Sequence, residues 1–174
     1  MTATEPPAGL HRSAITGISR TPVGPLVYGT LSVLIVVAGL QVAGESTPFG
    51  SGAIILAGAV ATWLAHTYAD LMGQRADRSH SMSPRDVAHG LRHASPIILA
   101  AVPAALALGG AVQTWWTLEA AILATNLAGV AVLAVAGLAA AQARGSGPGG
   151  AILSTVATTS IGLGIILVEI LLHH

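Results

Sequence analysis

The chain has 174 residues, of which 53% are apolar and only 8% charged, with a formal net charge of zero and no cysteine. A soluble domain carries about 25% charged residues, so this chain lacks the polar groups to coat a water-facing surface. Zero net charge argues against a nucleic-acid partner, and the lack of cysteine excludes disulfides, thiolate metal sites and cysteine nucleophiles.

Residues 1–24 are polar and rich in Pro, Thr, Ser and Gly. They hold no apolar stretch like the core of a signal peptide and read as a flexible cytoplasmic tail. Five apolar stretches follow in a membrane domain over 25–174, at about 26–44, 51–72, 96–113, 118–141 and 150–172. Each approaches or exceeds the ~20 residues a helix needs to cross the hydrocarbon layer. They are continuous rather than alternating, which predicts helices and not barrel strands. The expected fold is all-α, a bundle of five transmembrane helices whose outer surface meets the lipid bilayer.

In the second span His66 and Asp70 lie four apart on one face, which Gly58 and Thr62 continue. An ionisable group costs roughly 2.5–3.5 kcal/mol at mid-bilayer, so each such residue needs a reason. A carboxylate beside a histidine fixes its tautomer. Such a pair can clasp a neighbouring helix, relay a proton, or offer an N and an O ligand to a divalent cation. The same span carries a stripe of small residues, Ala57, Ala61, Ala65 and Ala69, suited to close helix packing or to self-association as a homo-oligomer.

The loop at 73–95 contains Ser83-Pro84-Arg85-Asp86, an N-cap, a first-turn proline and an acid at the third position. The short helix that follows, about 84–93, carries Arg85, His89 and His93 on one stripe, with Arg92 near it. It reads as an amphipathic helix on anionic headgroups. His89 and His93 could instead bind a metal together with His80.

The third span contains Pro103, which predicts a kink and a disturbed carbonyl at Leu99. Ala101, Ala105 and Gly109 form its small stripe. Thr114 to Thr117 is so short that the third and fourth spans must be an antiparallel hairpin. Thr125 and Asn126 sit in the outer half of the fourth span, as hydrogen-bonding groups between helices. The connection at 144–150 is glycine-rich but lacks lysine and does not fit a phosphate loop, so no cofactor is expected. The fifth span carries Thr155, Thr158, Thr159, Gly162 and Glu169 on one broad face, with His173 four residues beyond Glu169.

All seven basic residues are arginine: 12, 20, 75, 78, 85, 92 and 144. With five spans every one falls on the same side. The positive-inside rule then puts the N-terminus in the cytoplasm and the C-terminus outside. Trp115 and Trp116 mark the outer interface, Tyr28 and Tyr68 the inner one.

The polar groups line up by depth as Glu169, Asn126, Thr158, Thr62, His66 and Asp70. If they face a common interior they trace a path across the membrane. That predicts a small proton or cation permease or channel using the His66–Asp70 pair. An accessory or structural subunit without chemistry is the alternative. Catalysis is not expected, because no Gly-x-Ser-x-Gly elbow occurs and too few polar residues converge.

The stretch Trp63-Leu-Ala-His66-Thr-Tyr68-Ala-Asp70-Leu-Met-Gly73 resembles a segment of a group of small actinobacterial integral membrane proteins. Val27-Tyr28-Gly29-Thr30 and the run from Gly162 to His173 are similar as well. The resemblance implies a multi-pass topology and a bacterial plasma membrane, and no particular chemistry. It associates the position of Glu169 with lysine, which shifts weight from that carboxylate to His66.

Overall fold

Runs of Ala, Leu and Val without internal breakers favour long helices, and helices are what the chain forms. The computed structural model describes residues 23–44, 47–77 and 83–173. Among them every regular element is an α-helix: α1 (Val23–Val42), α2 (Pro48–Asp77), α3 (Pro84–His93), α4 (Ser95–Leu99), α5 (Val102–Val112), α6 (Leu118–Ala143) and α7 (Pro148–His173). Residues 1–22 of the expected tail, and His80, lie outside the described residues. α1, α2, α6 and α7 are each long and apolar enough to cross a membrane, and α3–α4 with α5 make a fifth span if the bent pair is counted as one.

The third span departs from the single kinked helix expected at 96–113. It is two limbs that meet at 48°, and the break falls at residues 100–101, ahead of Pro103. Proline sits in the first turn of both limbs, Pro96 in α4 and Pro103 in α5. The missing N–H is no loss there, so Pro103 opens a new helix rather than bending an old one. α5 alone is about 16 Å long, roughly half the hydrocarbon thickness. The amphipathic helix α3 runs into α4 with only Ala94 between them.

α1 is central. It packs on α2, α4, α6 and α7, while α5 bridges α2 and α6 and α6 pairs with α7. α2 and α7 therefore stand on the two flanks of α1. The core joins Val33, Val37 and Leu40 of α1 to Ile55 and Ala59 of α2, Ala104 and Leu108 of α5, and Ala121 of α6. Size is inverted relative to a water-soluble protein. Ala101, Ala104, Ala121 and Ala141 are buried while Leu106, Leu127, Val135 and Leu153 are exposed. Small residues inside and large apolar ones outside suit a bundle whose solvent is lipid.

Two glycines sit against the backbone of a neighbouring helix. A Cβ on Gly137 of α6 would stand 2.8 Å from the Thr155 Cα of α7, and one on Gly29 of α1 would stand 2.7 Å from the Ile97 Cα of α4. Of the expected small-residue faces, Gly162 is buried against Leu133 and Ala101 is buried, but Gly109 is exposed. The stripe of Ala57, Ala61, Ala65 and Ala69 is exposed along its whole length. α2 packs instead through Ser51, Ile55, Ala59, Thr67 and Leu71. Most of α2 is apolar on every side, so spacing alone did not choose its inward face. The fit to α1 and α5 did.

The expected hairpin joins α5 to α6. Thr117 caps α6, its hydroxyl accepting from Ala120 N at 3.2 Å. Trp116 folds back so that its indole N–H donates to Ala107 O at 2.7 Å. Between α6 and α7, Arg144 donates to Ser154 Oγ at 3.0 Å, and Ser154 donates to Gly137 O at 2.9 Å.

Candidate functional site

The titratable pair sits near the end of α2 that carries it towards Asp77. His66 Nε2 lies 3.5 Å from Asp70 Oδ2, and the two side chains are 27% and 40% exposed. One helical turn separates them, as the i, i+4 spacing requires. Gly58 and Thr62 extend the same edge and are half-buried. α1 supplies the other wall. The Tyr28 ring stacks on His66 with centroids 5.5 Å apart and an interplanar angle of 29°. The imidazole is thus held between a carboxylate and an aromatic face. Tyr28, read from sequence as an interface anchor, is part of the site.

α3 lies next along α2, and its start is built as expected. Ser83 Oγ accepts from Asp86 N at 3.3 Å and Ser83 N donates to Asp86 Oδ2 at 2.9 Å. This capping box, with Pro84 at the first position, fixes where the helix begins. Gly90 is buried, with the Thr67 and Leu71 side chains where its Cβ would point. Trp63 of α2 then donates its indole N–H to Leu91 O at 3.0 Å. Together these fasten α3 across α2.

Between the two helices is a polar cleft of about 350 Å³, lined by Asp70, Gln74, Asp86, His89, Gly90 and His93. It opens beside the His66–Asp70 pair. The imidazoles of His89 and His93 stack on each other at 6.5 Å. Arg85, His89, Arg92 and His93 are all exposed. Spacing alone could not find the cleft, because Gln74 and Asp86 join it only when α3 folds back on α2.

The metal reading gains no third ligand. Among the described residues, no group of three or more His, Cys, Asp or Glu side chains is arranged to hold a metal ion. His66 and Asp70 remain a two-donor pair, and His89 and His93 a second one.

Among the described residues, the ladder of polar groups is not assembled inside one bundle. Asn126 and Thr125 are buried in α6, 7% and 3% exposed. Thr158 of α7 turns back to its own helix, donating to Ser154 O at 2.8 Å, and its hydroxyl lies close to Gly137. The side chains of Glu169 and His173 lie outside the described residues. α7 packs on α6 and α1, whereas α2 packs on α1, α3, α4 and α5. Thr62, His66 and Asp70 therefore stand on a different flank from Thr158, and the core between α1, α2, α5 and α6 is mostly apolar, with Ser51, Thr125 and Asn126 as buried polar exceptions. Tertiary packing, which depth along the spans does not encode, separates them. Comparison with protein-family models, with curated proteins and with solved structures gives no match.

Proposed function

We propose that this chain is a proton- or cation-handling protein of a bacterial plasma membrane, that His66 and Asp70 are its working pair, and that it functions as a homo-oligomer. The observation that carries the reading is the pair itself, held 3.5 Å apart beside Tyr28 and next to a polar cleft. Histidine is the side chain that changes charge nearest physiological pH, and ionisable groups in membrane spans are kept for function more often than for packing. The positive-inside rule supports a cleft on the cytoplasmic side, since Arg85 and Arg92 flank it.

A route through a single copy has no support, because the buried hydroxyls of Ser51 and Thr125 are surrounded by apolar residues of α1, α2, α5 and α6. A route between copies fits better. Ala65 and Ala69 are exposed and stand one residue, about 100° of helix rotation, from His66 and Asp70. A second copy on the alanine stripe would cover the pair and give it a shared interior. The alternative is an accessory subunit, and the largely apolar core favours it.

Flux in proteoliposomes separates the two. Wild-type protein is expected to pass protons or divalent cations, and His66→Ala and Asp70→Asn to lose the flux. Flux retained in both variants rejects the pair as the carrier. No flux in any sample leaves the accessory reading.

A further inference from the structure

At the other end of α2 a polar side chain is buried inside the bundle. Ser51 is 2% exposed, and its Oγ has no hydrogen-bond partner among the described residues. A buried hydroxyl without a partner is costly. Ser51 lines a cavity of about 10 Å³ with Val37, Leu40, Ile55, Leu108, Ile122 and Thr125. That is about the space one water molecule needs, but a water also needs two to four polar partners. Thr125 provides the second. It is 3% exposed, and its hydroxyl hydrogen is committed to Ala121 O at 2.8 Å. Its oxygen lone pairs remain as acceptors.

We infer that this cavity is a binding site for a single water molecule, which bridges Ser51 Oγ and Thr125 Oγ1. The water donates to Thr125 and exchanges a hydrogen bond with Ser51, which can donate or accept. It ties α2 to α6, each of which packs on α1 and α5. The rest of the cavity wall is apolar, so the water has no chain of polar groups to leave by. The site is therefore a fixed joint and not a segment of a conduction path. It does not depend on the role of His66 and Asp70.

Solid-state NMR of the full chain in lipid bilayers tests this. Magnetisation is transferred from water, and the Thr125 methyl and Ser51 signals are read against the buried Ala104 methyl as a dry control. Wild-type protein is expected to show transfer to Thr125 and Ser51 and none to Ala104. Ser51→Ala is expected to abolish the transfer to Thr125. Stability gives a second measurement. Ser51→Ala and Thr125→Val are each expected to lower Tm by about 2–4 °C, and the double variant to fall no further than the worse single one. A dry wild-type cavity, transfer to Thr125 that persists in Ser51→Ala, or a Tm that Ser51→Ala leaves unchanged or raises, each overturns the inference. Fully additive Tm losses do so too.

Discussion

The turn after α5 shows how a single residue can be placed against its own preference. Thr114 has φ +62°, a left-handed conformation that costs a β-branched residue roughly 1–2 kcal/mol. The turn holds it there because Trp115 N donates to Gly110 O and the Trp116 indole donates to Ala107 O. Thr114→Asn relieves the strain without loosening the unfolded chain, and it should stabilise the protein by about 1 kcal/mol, read as a higher Tm. Trp63 is the opposite case, a side chain that suits its place. Its N–H is the polar tie from α2 to the backbone of α3. Trp63→Phe keeps the ring and removes the donor, a loss of about 1 kcal/mol. Amide exchange should then quicken in 84–93 and stay unchanged in α6 and α7.

At the scale of elements, helix ends were more legible than helix faces. Ser83, Pro84 and Asp86 announce the start of α3 by local chemistry, and the capping box forms as they imply. Pro103 was also legible, read as a kink that disturbs the Leu99 carbonyl, and the bend falls just after Leu99. The chain resolves the conflict by ending α4 before Pro103 and starting again. Faces were harder, because an apolar helix in lipid has no polar side to mark its exterior. The row Ala57, Ala61, Ala65 and Ala69 looked able to pack, yet it is exposed and Ala59 is the buried alanine of that stretch. Gly137 makes the contrast testable. Its Cβ would press on the α7 backbone, which cannot yield as a side-chain tip can. Gly137→Val should destabilise by about 1–3 kcal/mol. Gly164, also in the α6–α7 pair but with nothing within 4 Å of its Cβ position, should accept valine with little change in Tm.

For the whole molecule, the arrangement of helices bears directly on mechanism. α1 in the centre, with α2 and α7 on its flanks, leaves no continuous polar path through one copy among the described residues. The proposed activity therefore requires a second copy beside α2. Because the chain has no cysteine, Ala65→Cys is a clean probe of that requirement. It should cross-link copies in membranes, whereas Val135→Cys, on the exposed face of α6, should not. A protein that stays uncross-linked at Ala65 and passes no ions would be an accessory subunit.

Composition by itself determined the class of this protein. With so few charged residues and such long apolar runs, its backbone must satisfy its own hydrogen bonds, and helices do so locally. The long apolar helices, the short hairpin between α5 and α6, the cap of α3 and the i, i+4 pairing of His66 with Asp70 follow from interactions a few residues apart, which a sequence displays. Tertiary structure decided the rest: which face of α2 turns inward, that Tyr28 stacks on His66, that α3 folds back to form the cleft, and that Thr158 stands apart from His66. Those outcomes depend on the fit between side chains far apart in the chain. In a bundle that is largely apolar inside and out, no pattern of polarity along the sequence records that fit.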